Sequence, residues 1–98
     1  MKILHLNLKK QYFEDIRDKT KSHEFRLYND YWKKRLEGRD YDEIHIKMGY
    51  PKSDDYSRIV VRPYLGFEVK TIVHEFFDNV PTKVFAIRVN EDLEEQID

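Results

Sequence analysis

The chemistry-bearing residues of this chain cluster near its start, in Lys19-Thr20-Lys21-Ser22-His23-Glu24-Phe25-Arg26. Read as an extended strand over 22–28, the side chains alternate. Phe25 and Leu27, with His23, are then expected toward the core. Ser22, Glu24, Arg26 and Tyr28 are expected on the other face, and Lys21 stands at the joint between a helix and the strand. A cation, a carboxylate and a guanidinium would converge on one small area. Arg26 offers a planar donor fork suited to phosphate or a base edge. Lys21 can neutralise a phosphate, or act as a base where desolvation leaves it neutral. Glu24 could accept hydrogen bonds from an exocyclic amine, activate water, or orient the two cations. The plain alternative is a solvated strand face on which Glu24 and Arg26 form an ion pair, a common pairing on sheets. If the face binds a ligand, Arg26→Ala is expected to weaken oligonucleotide affinity, while Glu24→Ala leaves stability largely intact.

The surrounding elements follow from periodicity. Ile3 to Leu8 reads as a first strand with Leu4, Leu6 and Leu8 on one face. Residues 9–18 change period, and Tyr12, Phe13 and Ile16 form the apolar stripe of a helix. Asn29 or Asp30 can cap a second helix carrying Trp32 and Leu36, with Gly38 as its stop. Ile44, Ile46 and Met48 alternate in a third strand closed by Gly49-Tyr50-Pro51. A β-branched run at Arg58–Val61 ends at Pro63. A further strand lies within Gly66–Phe77, with Phe67, Val69, Thr71 and Val73 on one face. Asp78-Asn79 and Pro81 mark a turn, and Thr82–Val89 is the last strand. The order β-α-β-α-β-β-β-β favours an α+β fold, and many short strands in so small a chain suggest a small, partly open barrel.

Composition narrows the class. A chain of 98 residues suits one domain, able to bury about 65% of its unfolded surface. Domain boundaries are expected at 1–90, followed by an acidic tail at 91–98 that is frayed or a short helix. There is no cysteine, and no two of the four histidines are spaced as a metal-ligand pair on a helix, so neither disulfides, a metal nor a cofactor is implied. No stretch reaches the roughly 20 apolar residues of a membrane span, and no signal peptide is recognisable, so a soluble cytoplasmic protein is expected. Net charge is only −1. The first 40 residues nevertheless hold 11 Lys/Arg against 7 Asp/Glu, and the remainder 7 against 12. A local basic face is thus compatible with a neutral whole.

With Lys21, Glu24 and Arg26 between the first helix and the second strand, the segment resembles the Gly-x-Lys-x-x-Glu-x-Arg motif of ASCH domains, a branch of the PUA-like superfamily. Tyr12-Phe13-x-x-Ile16 is similar to the first helix of that family. Tyr31–Leu36 and Ile46–Tyr50 look like one bacterial and phage-associated subgroup, and Phe85–Val89 resembles the final barrel strand. The resemblance spans roughly residues 2–90 and implies a small mixed β-barrel flanked by two short helices, with a cleft that binds RNA or a nucleotide. One branch of the family deacetylates acetylated cytidine with a lysine, a threonine nucleophile and a distal glutamate. Lys21 matches the lysine, but Glu24 occupies the threonine position, and Glu68 and Glu75 are the candidates for the glutamate. Another relative looks like a metal-dependent ribonuclease. Lys19 stands where the motif has glycine, a residue that permits positive φ, so a different turn is expected there and the pose of Lys21 is left open.

These readings make a nucleic-acid or nucleotide binding module, with RNA as partner, the first expectation. Its ligand-binding residues would be Lys21, Glu24, Arg26, Tyr28, Tyr31 and Tyr50, and Lys21 and Glu24 are the candidates for any catalytic role. A hydrolase of a modified nucleoside or of RNA is the alternative, with His74-Glu75 a conceivable acid/base pair. A third reading is a protein-interaction regulator, phage-borne in type, using the acidic tail. Tyr28 and Tyr31 are the favoured stacking residues, whereas Trp32 is assigned to core packing. Tyr50-Pro51-Lys52 is a candidate lip of the cleft, and Asp54-Asp55 is expected to be a solvated loop pair.

Overall fold

A computed structural model describes residues 1–90. The acidic tail lies outside the described residues. Six strands and two helices follow the expected order: β1 (Ile3–Leu8), α1 (Lys10–Arg17), β2 (His23–Leu27), α2 (Asp30–Leu36), β3 (Glu43–Met48), β4 (Ile59–Pro63), β5 (Phe67–Ile72) and β6 (Thr82–Arg88). Single 3₁₀ turns occupy Tyr56–Arg58 and Glu75–Phe77.

The strands form two three-stranded sheets, ordered β1-β3-β4 and β2-β6-β5. β1 and β3 are parallel, and every other pair is antiparallel. The fold is thus α+β, but the expected barrel is not closed among the described residues, because no ladder joins the two sheets. Where the outer strands β1 and β2 approach, a side chain reaches across instead. Arg26 Nη2 donates to the Asn7 carbonyl at 3.4 Å.

One apolar cluster fills the interior. Leu4, Leu6 and Leu8 meet Ile44, Ile46 and Val60 from the first sheet, Phe85, Ile87 and Val89 from the second, and Phe13, Ile16 and Leu36 from the helices. Central strand β6 is buried on both faces, since Val84 and Ala86 are as inaccessible as Phe85 and Ile87. The stripe of α1 and the Trp32–Leu36 pair of α2 pack as their spacing predicts, with Tyr12 and Trp32 at the margin of the core. Asn29 caps α2 by accepting a hydrogen bond from the Trp32 amide at 3.0 Å. β5 is shorter than expected. It ends at Ile72; Val69 keeps the face of Phe67, opposite Phe85, but is half-exposed at the sheet edge, and Val73 lies beyond the strand in solvent. No helix among the described residues is long and apolar enough to cross a membrane.

Candidate functional site

The exit of α1 sets where Lys21 stands. Lys19 adopts φ 60° in the left-handed region. Its amide bonds the Ile16 carbonyl at 3.1 Å, and the Thr20 amide bonds the Asp15 carbonyl at 2.8 Å. That pair of bonds is the Schellman arrangement, which usually places glycine at the left-handed position. The expectation of a different turn is therefore overturned. The lysine takes the glycine geometry, and its Cβ bears the steric penalty of the left-handed region.

Asn90 holds the next residues. Its buried side chain donates to the Ile16 carbonyl at 3.0 Å and to the Lys21 carbonyl at 2.8 Å. The Val89 amide bonds the Ser22 carbonyl at 2.9 Å. The end of the described chain thus clamps the start of β2 in place. Nothing in local sequence pattern marks Asn90 for this role; a polar residue closing the β6 apolar run was the available signal.

The register of β2 on β6 corrects the assignment of its faces. Glu24 lies opposite Ile87 and Arg26 opposite Phe85, while Phe25 lies opposite Ala86 and Leu27 opposite Val84. Directly opposed residues share a face. Phe85 and Ile87 belong to the core cluster, so Glu24, Arg26 and Tyr28 point inward and Phe25 and Leu27 point to the other side. Burial agrees, with Glu24 4% exposed and Leu27 43%. The alternation was legible, but its direction was inferred from hydrophobicity, and it runs the other way.

The inward carboxylate is neutralised by two cations. Lys21 Nζ donates to Glu24 Oε1 at 2.6 Å, and Arg26 Nη1 donates to Glu24 Oε2 at 2.8 Å. The Lys21 ammonium also lies 4.8 Å from the Tyr12 ring centre and 5.8 Å from that of Phe25. Arg26 Nη1 donates a second bond to the Phe25 carbonyl at 3.0 Å, and its guanidinium carbon lies 5.4 Å from the Trp32 ring centre. Three of the five guanidinium N–H groups are thereby engaged, and two are left for a ligand. The solvated Glu24–Arg26 pair is replaced by a buried three-membered cluster carrying one net positive charge. Glu24→Ala is accordingly expected to be destabilising, contrary to the expectation from sequence.

This cluster forms the polar part of a cleft of about 590 Å³, a volume suited to a nucleoside-sized ligand. β2 is an outer strand, so a cleft along its free edge touches side chains from both of its faces. The walls are aromatic, formed by Tyr12, Phe25, Trp32, Phe76 and Phe77. Tyr12 and Phe76 meet edge-on with centroids 6.5 Å apart. The charged lining balances, with Lys9, Lys21 and Arg26 against Asp15, Glu24 and Glu75. His74 also lines the cleft, and its Nδ1 accepts the Phe76 amide at 3.0 Å, which leaves Nε2 as the ring donor.

The remaining candidates are dispersed. Tyr28, Tyr31 and Tyr50 do not line the cleft. Tyr28 packs its ring 4.9 Å from Phe85, Tyr31 lies outside on α2, and Tyr50 is 93% exposed. Trp32, assigned to the core, serves both core and cleft. Glu68 lies away from the cleft, on β5, where hydrogen bonds from Arg88 at 2.6 Å and from Lys70 hold its carboxyl below the usual range. Asp55 pairs with Ser57 and Arg58 in its own loop. Among the described residues no group of three or more His, Asp or Glu side chains is placed to hold a metal ion.

Set against known proteins, the chain matches no family model, no curated protein and no solved structure.

Proposed function

We propose that this protein is a nucleic-acid or nucleotide binding module of the PUA-like, ASCH type, with RNA as its ligand and the cleft beside β2 as its base-binding site. The observation that carries the reading is the composition of the cleft: flat aromatic walls around a Lys21-Glu24-Arg26 cluster. Aromatic faces stack on a nucleobase, and unengaged guanidinium N–H groups can donate to its polar edge. The balanced lining charge suits a base better than a polyphosphate. Trp32 is the single tryptophan of the chain, so its fluorescence reports directly on the cleft. Titration with the four ribonucleoside monophosphates should quench it saturably, and Arg26→Gln should weaken the tightest of them about tenfold. Absence of quenching by all four at low salt would remove the proposal.

A second reading, hydrolysis of a modified nucleoside or of RNA, draws on the presence of His74 and Glu75 in the same cleft. Both oxygens of Glu24 are engaged by cations, a poor arrangement for activating water. His74 is therefore the residue to test. Turnover of acetylcytidine or labelled RNA that is lost in His74→Gln supports this reading; no turnover with or without divalent metal rejects it.

A further inference from the structure

Leaving the cleft along α2, guanidinium groups and aromatic rings form one continuous series of contacts. Arg26 faces Trp32, and Trp32 meets Tyr31 edge-on with centroids 5.1 Å apart. Tyr31 in turn carries the Arg35 guanidinium 3.4 Å from its ring centre. A hydrogen bond from Arg35 Nη1 to the Tyr31 carbonyl, 2.9 Å, holds it there. Arg26 and Trp32 line the cleft, whereas Tyr31 and Arg35 are exposed outside it. Residues four apart on a helix share a face, so the outer pair forms one platform.

Charge is divided along the same line. Inside the cleft it balances. On α2 and just beyond, Lys33, Lys34, Arg35 and Arg39 have no carboxylate partner among the described residues, nor does Lys83. Lys33 and Lys83 approach the Tyr28 ring at 4.4 and 4.2 Å, so the cationic surface continues past α2. A polynucleotide strand has the matching division, flat bases joined by an anionic backbone. A mononucleotide in the cleft would leave the outer platform and these cations unused.

We infer that α2 is the exit track of a single RNA strand. One base occupies the cleft, the neighbouring nucleotide stacks on the Tyr31–Arg35 platform, and the phosphates between and beyond them meet the α2 cations. A duplex does not fit, because its paired bases cannot reach either platform. The inference rests on the cleft being a nucleobase site, as proposed above, and adds the polymer and its path.

The test compares each ribonucleoside monophosphate with the homohexaribonucleotide of the same base, read by Trp32 quenching and by anisotropy of an end-labelled hexamer. The hexamer of the preferred base should bind at least about tenfold tighter than its monophosphate. Tyr31→Ala should weaken the hexamer about tenfold and the monophosphate less than about twofold. Arg35→Gln should lower the slope of log affinity against log salt for the hexamer by about 0.7. Both side chains are exposed, and a thermal melt of each variant checks that it folds. Three results overturn the track while leaving the cleft reading intact: a hexamer no tighter than its monophosphate, a Tyr31→Ala effect equal on both ligands, or equal affinity for the hexamer annealed to its complement. Absence of binding by every monophosphate and every hexamer overturns both.

Discussion

Replacing Glu24 by alanine perturbs the cluster where it is most enclosed. Its two ion pairs, at 2.6 and 2.8 Å, are each worth about 4 kcal/mol if the charge centres are taken as about 4 Å apart and the effective dielectric constant as about 20. Against roughly 8 kcal/mol of attraction stands the desolvation of a carboxylate that is 6% exposed, a penalty of several kcal/mol that the substitution relieves. The Lys21 and Arg26 side chains are 23% and 19% exposed, so both recover some hydration once the carboxylate is gone. The net loss is then about 2–3 kcal/mol, or about 10–15 °C in Tm for a domain of this size. Urea denaturation followed by circular dichroism measures it directly. Arg26→Met introduced into the Glu24→Ala background should cost less than Arg26→Met alone, with a coupling of about 1–2 kcal/mol in the double-mutant cycle. A Glu24→Ala loss below about 0.5 kcal/mol would refute the reasoning. It would mean that the carboxylate behaves as a solvent-screened surface ion and that β2 does not turn its polar face inward.

Three further outcomes are expected. Lys19→Gly removes the Cβ from a left-handed residue at φ 60° and should stabilise the protein by about 1 kcal/mol, raising Tm by about 4–8 °C; a fall in Tm would contradict the strain assigned to that turn. Asn90→Ala removes one of two donors to the Ile16 carbonyl and the side-chain donor to the Lys21 carbonyl, and should lower stability by about 2 kcal/mol, with faster amide exchange in residues 19–22; unchanged exchange there would show that the clamp is not what holds the strand start. The third concerns His5, whose imidazole, on an exposed residue of β1, is held below its ordinary titration range by partial desolvation, then by Lys47 and His45. The unfolded chain therefore takes up its proton first, and this contribution is full above about pH 6.5 and declines as pH falls from there. His5→Gln should flatten the difference in urea midpoint between pH 7 and pH 5, and a steeper dependence in the variant would reverse the sign argued here.

Much of the scaffold was readable from spacing. The inward faces of β1 and β3, the α1 stripe and the Asn29 cap follow from local rules that the chain obeys. The failures concern non-local information. Alternation over 22–28 identifies two faces, but only the partner strand decides which is inside, and a register one residue different would exchange them. Here the polar residues of β2 lie on the core side and the apolar ones on the other, and both sets reach the cleft at the strand's free edge, an inversion expected where a site outranks a core. Tyr28, Tyr31 and Tyr50 are each plausible stacking residues by type. Distance along the chain could not show that Tyr31 connects to the cleft through Trp32 while Tyr50 stands apart in solvent. Lys19 misled in the opposite sense, since glycine is favoured at a left-handed position without being required there.

The pairing of β2 with β6 has a consequence for the order of events in folding. α1, β2 and α2, which supply half of the residues lining the cleft, all lie in the crossover between parallel strands β1 and β3. Yet among the described residues the strand that pairs with β2 is 65 residues away, His23 opposite Arg88, and Asn90 ties back across 69 residues to Lys21. Loop closure over such distances is slow and yields few stabilising contacts until it is complete. During synthesis, therefore, the chain emerges with every aromatic wall of the cleft already made and the cleft itself unformed. Binding competence should arrive in one late step, when β6 docks, and a nascent chain stalled before residue 82 should be blind to the ligand.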